Sequence, residues 1–95
     1  MSVFAIYNKE TGIIMKVLHD KRGDSIRIMF DDVTPYSYGK SLDDERYIDY
    51  GENGELLGVS ILDLRAGVEL DGLPERETIE KILVSRGIKV YTRRR

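Results

Sequence analysis

The chain has no cysteine, no tryptophan and one histidine among its 95 residues. Without cysteine there are no disulfides, no thiolate chemistry and no Cys-based zinc sites. A single histidine, His19, rules out a two-histidine metal site within one chain. A Ser-His-Asp relay would depend on a residue that carries no local signature. His19 closes an apolar strand, where a partly buried, hydrogen-bonded imidazole is the expectation. The chain also lacks a basic leader and any run of about 18 apolar residues. A soluble, cytoplasmic protein with no membrane partner is expected, and a reducing compartment suits the missing cysteines. At this length a domain buries roughly 60 to 68% of its unfolded surface, so the core is thin and a homodimer or a small cognate protein is the expected partner.

What is present is charge, in blocks. Residues 1–73 hold 8 Lys/Arg against 14 Asp/Glu, and residues 74–95 hold 7 against 3. The two parts are therefore about −6 and +4, which points to mutual attraction on folding or to a binding face. Between the charges the chain reads as short strands: Val3 to Tyr7, Ile13 to His19, and Ser25 to Phe30. They are separated by "NKETG" and "DKRGD", where Asn, Asp and Gly favour turns. Ile26, Ile28 and Phe30 share one face of a half-buried antiparallel strand. Residues 31–44, "DDVTPYSYGKSLDD", lose the alternation and read as a long loop. Strands resume at Glu45 to Tyr50 and Glu55 to Leu62.

The last quarter changes period. Ile79, Ile82 and Leu83 lie at i, i+3 and i+4, one stripe of an amphipathic helix over about residues 74–86. Pro74 suits its first position, Glu75 and Glu77 the positive end of its dipole, Arg86 the negative end, and Gly87 the C′ position. Glu77 and Lys81 add an i, i+4 pair. Ile88 to Thr92 alternates once more. The expected fold is a single α+β domain, mainly an antiparallel β-meander of five or six short strands, with one C-terminal helix and a final short strand.

Candidate sites are few. "YIDYGENGELLGVSILDL", residues 47–64, gathers carboxylates around two glycines as a calcium loop does. An EF-hand, however, needs a side-chain oxygen at its third position, where this chain has Gly51, a bidentate carboxylate at its twelfth, where it has Ser60, and a helix after Gly54, where it has a strand. Asn53-Gly54 reads instead as a hairpin turn, because both positions tolerate positive φ. Asp31, Asp32, Asp43 and Asp44 flank the long loop and form a carboxylate metal site if the fold brings them together. Lys89, Arg93, Arg94 and Arg95 are candidate phosphate contacts for a nucleic-acid-binding regulator, although three or four charges give only weak, salt-sensitive binding. Tyr36, Tyr38 and Tyr47, with Tyr50 beside them, are candidates for an aromatic interaction surface. No constellation supports a catalytic residue or a cofactor site, so an enzyme is not expected.

"MKVLHDKRGDSIRIMF" followed, after the acidic loop, by "RYIDYGENGELLGVSILDL" resembles the small prokaryotic domain-of-unknown-function family numbered 2283. The likeness runs from about Met15 to Leu64 and places Asp20, Asp24, Asp49, Gly54, Gly58 and Asp63 on the family's recurrent positions. His19, Arg27, Gly51 and Ser60 depart from its pattern. Residues 65–95 are similar to the extension of longer members, and residues 1–14 precede the usual family start as a candidate extra strand. The resemblance implies a compact strand-rich fold and no established activity, and some members look like small partners of toxin-like proteins. With the composition, it leads to the expectation of a non-catalytic interaction or regulatory module.

Overall fold

The computed structural model describes residues 2–7 and 14–93. The chain divides into two compact units, one ending at Leu62 and one beginning at Asp63.

The first unit is a six-stranded antiparallel sheet. Its strands are β1 (Ser2–Tyr7), β2 (Ile14–Asp20), β3 (Ser25–Met29), β4 (Tyr36–Ser41), β5 (Arg46–Gly51) and β6 (Leu56–Ile61), in the spatial order β1-β2-β3-β6-β5-β4. Two three-stranded meanders are thus joined along β3 and β6. One row of the register runs Phe4, Val17, Ile28, Val59, Ile48 and Lys40, and directly opposed residues share a face. On that face Met15, Val17, Ile26, Ile28, Ile48, Val59 and Ile61 are buried, each worth about 1.5 to 3 kcal/mol relative to exposure. The row Lys16, Met29, Gly58, Asp49 and Gly39 lies on the opposite, mixed face.

Each turn has a local cause. At the β2–β3 hairpin the Asp20 carboxylate accepts the Gly23 N–H at 3.0 Å and Asp24 takes φ 52°, a conformation that Asp tolerates better than most residues. At the β5–β6 hairpin the Gly54 N–H donates to the Gly51 carbonyl at 3.1 Å, and the Gly51 N–H to the Glu55 carbonyl at 2.9 Å. Gly54 has φ 80°, whereas Asn53 does not have positive φ. The turn expected at "GENG" is therefore present, but as a three-residue loop closed by one left-handed glycine, and not the two-residue turn with both residues at positive φ. From the end of β3 the chain crosses to the far edge of the sheet. There Asp31 accepts the N–H groups of Val33 and Thr34 at 2.9 and 3.0 Å and the Thr34 hydroxyl at 2.6 Å.

The expectation of an unbroken loop over residues 31–44 is corrected, because β4 occupies Tyr36–Ser41. All six of its residues are exposed, so no apolar alternation marks it. The expected N-terminal strand is β1, paired with β2 throughout its length. The break expected at residues 8–12 lies outside the described residues.

The second unit begins with a 3-10 turn, Leu64–Ala66, and continues through β7 (Val68–Glu69), α1 (Arg76–Ser85) and β8 (Val90–Tyr91). β7 and β8 pair in parallel, which requires a crossover of a dozen or more residues, and α1 lies in it. Ile79, Ile82 and Leu83 are buried on α1, as their spacing predicts, and Leu64, Val68, Leu70 and Leu73 are buried in the same unit. The helix starts two residues later than expected. Glu75 is its N-cap at φ 51° with no side-chain cap, so Pro74 precedes the helix and does not open it. At the other end Gly87 has φ 76° and its N–H donates to the Val84 carbonyl at 3.0 Å, the left-handed C′ residue that the sequence predicts. Among the described residues no helix is long and apolar enough to cross a membrane.

Candidate functional site

β4 is an edge strand. Its pairing with β5 determines which main-chain groups it offers outward. The Leu42 N–H donates to the Arg46 carbonyl at 2.8 Å, so by the alternation of an antiparallel ladder Lys40 opposite Ile48 and Tyr38 opposite Tyr50 are the hydrogen-bonded pairs. Gly39 and Ser41 lie between them, with N–H and C=O directed away from β5. One extra residue, Ser37, interrupts the register between Tyr36 and Tyr38, a bulge that turns Tyr36 to the other face.

The tyrosines are consequently split between faces. Tyr38, 47% exposed, lies on the face of Lys40 and Ile48 and stacks on Tyr50 with ring centroids 5.2 Å apart and planes at 23°, a favourable offset pair. The ring of Tyr36, 62% exposed, runs along the mixed face, where its hydroxyl comes within 3.1 Å of the place a Gly39 Cβ would occupy. Tyr47 sits on that same face opposite Ser41, and its hydroxyl donates to the Asp44 carbonyl at 2.7 Å. Beside these residues the Arg27 guanidinium reaches across β6 to the Asp49 carboxylate at 3.0 Å. Gly58 lies on β6 in the row between Met29 and Asp49, and a Cβ there would meet the Ile28 carbonyl at 2.8 Å.

The acids that would form a metal site if the fold gathered them are not brought together. The Asp31 N–H bonds to the Leu57 carbonyl, whereas Asp43 closes the turn beside Glu45, whose carbonyl accepts the Leu62 N–H. These anchor points are about 17 Å apart at ~3.4 Å per residue. Each carboxylate also has local work. The Thr34 hydroxyl, and then the Thr34 and Val33 N–H groups, hold Asp31 below the usual carboxylate range. The Lys16 ammonium beside Asp32 lowers its pKa by hydrogen bond and charge. Burial pushes Asp43 up, but the Glu45 N–H and the Arg46 guanidinium and N–H outweigh it, and the net direction is down. Among the described residues no group of three or more His, Cys, Asp or Glu is placed to hold a metal. In the 47–64 stretch Asp49 engages Arg27, and Glu55 accepts the Asn53 N–H at 2.7 Å.

The clasp of Asp43 on Arg46 escaped the sequence pattern. Arg46 is 8% exposed on the mainly apolar face, and its Nε donates to Asp43 at 2.9 Å. An arginine at an inward position of an alternating strand is the signal that would have found it. His19, 6% exposed, is buried on the same face. Of the basic tail, Lys89 is exposed. The Arg93 guanidinium lies 3.4 Å from Glu69 and the Arg93 main-chain N–H donates to Asp71 at 2.7 Å, while Arg94 and Arg95 lie outside the described residues. Arg76 also pairs with Asp71 at 3.4 Å. Opposite charge blocks do meet, within this unit.

No protein-family model matches the chain, and no curated protein or solved structure matches it.

Proposed function

We propose that the chain is a non-catalytic protein-interaction module, working in the cytoplasm, whose docking element is the free edge of β4. The observation that carries this is the exposure of all six β4 residues together with the outward main-chain groups of Gly39 and Ser41. An extended polypeptide laid along such an edge gains main-chain hydrogen bonds, and side chains on alternate positions set its specificity. Tyr36, Tyr38 and Tyr47 supply aromatic surface with polar tips on the two sides of that edge.

The test uses Ser41→Pro. Proline removes the outward N–H of residue 41 and leaves the β4–β5 bonds of Lys40 and Leu42 in place. Affinity capture from native lysate with the parent chain recovers a specific polypeptide, and the proline variant, folded by circular dichroism, loses it. Equal recovery by both chains rejects the edge as the docking element.

A further inference from the structure

We infer that the polypeptide added to β4 is β4 of a second copy, antiparallel, about a two-fold axis through Gly39. This inference rests on the edge reading above and names its partner. The outward residues of β4 are odd-numbered, so a symmetric pairing must place odd residues opposite odd ones. Three registers near the middle of the strand satisfy that condition. Centring on residue 40 sets Lys40 against Lys40 of the second copy, and directly opposed like charges are destabilising. Centring on residue 38 sets Tyr38 against Tyr38 and carries the paired segment off β4 onto Pro35, which has no N–H to donate.

Centring on Gly39 avoids both faults. Gly39 then faces Gly39, exchanging N–H and C=O. Lys40 of each copy faces Tyr38 of the other on the same side of the joined sheet, because directly opposed residues share a face. The ammonium meets a ring already held by its stack on Tyr50, a cation–π contact repeated by symmetry. On the other side Gly39 leaves room for the Tyr36 ring, whose hydroxyl lies over it, so two rings flank the axis with no Cβ between them. The bulge and the lysine, devices that blunt edges against indiscriminate pairing, here select one register. A net charge of −2 opposes self-association little.

Because the chain has no cysteine, single-cysteine variants report the register without background. Residues 38 and 40 would form a pair without main-chain hydrogen bonds, with Cα atoms about 4.5 Å apart, within disulfide reach. Under mild oxidation a mixture of Tyr38→Cys and Lys40→Cys gives the mixed disulfide dimer, and Tyr38→Cys, which keeps Lys40, does not link to itself. Self-linking of Tyr38→Cys, or no mixed dimer, overturns the register. On the unsubstituted chain, amide exchange at Gly39 and Ser41 slows as concentration rises from micromolar to millimolar, while Lys40 and Tyr38 stay protected throughout. A chain that sediments as a monomer across that range overturns the second copy as partner. It leaves the edge itself to stand or fall by the Ser41→Pro capture.

Discussion

At Asp43 a single carboxylate serves three donors: the N–H groups of Glu45 and Arg46 on one oxygen and the Arg46 guanidinium on the other. Arg46 is the buried partner, so removing its acid leaves a charge on the apolar face less well compensated. Asp43→Ala is expected to cost about 2 kcal/mol in urea unfolding, and Asp43→Asn less, because the amide oxygen keeps the two N–H bonds. The same residues shape the response to acid. Asp31, Asp32 and Asp43 all have folded pKa values below 3.8, so the folded state binds protons less readily than the unfolded chain. Their contribution is present in full above that value and is lost as pH falls through the lower folded values. Urea midpoints should be flat in this respect from about pH 7 to 5 and decline below about pH 4, with a shallower decline in Asp43→Asn. Residues such as Asp43 were legible as acids, but not as clasps. The donors to Asp43 are two and three residues on, on backbone whose direction a composition does not state.

Two glycines with different duties set the limits of the strands and turns. Gly54 stands at φ 80° with open space where a side chain would go, so Gly54→Ala meets only the left-handed backbone penalty, about 1 kcal/mol. Gly58 has ordinary φ, but its Cβ would meet the Ile28 carbonyl at 2.8 Å, main chain that moves only with β3. Gly58→Ala is therefore expected to cost more, about 2 to 3 kcal/mol, and thermal unfolding of the two variants gives the order. The "GENG" turn announced Gly54, while Gly58 reads in the sequence as one more residue of an alternating strand. β4 shows the complementary limit. β3 and β5, which precede and follow it in the chain, alternate because one side of each is buried, but an edge strand exposed on both faces carries no such periodicity. "YSYGKS" resembled loop for that reason.

For the molecule as a whole, the joining of two meanders along β3 and β6 leaves β4 at one margin of the sheet. A twelve-stranded continuous sheet follows if two copies meet there as proposed. Stability is then linked to concentration, and Tm should rise by several degrees over a hundredfold increase in protein. A Tm independent of concentration in differential scanning calorimetry would contradict the dimer. Ser41→Pro removes the dependence while leaving the low-concentration Tm near that of the parent.

Local chemistry by itself determined the turns at residues 20–24 and 51–55, which residues alternate into the apolar face, and where one helix begins and ends to within two residues. Those features depend on φ preferences and on side-chain spacing over a few positions. The tertiary structure alone decided that β3 lies against β6, that β7 and β8 run parallel, that Asp31 and Asp43 stand far apart, and that "YSYGKS" is a strand. The first two are pairings between segments distant in the chain, and the other two follow from the order in which the strands assemble. The free energy of each pairing comes from main-chain hydrogen bonds and burial that exist only once both segments are in place.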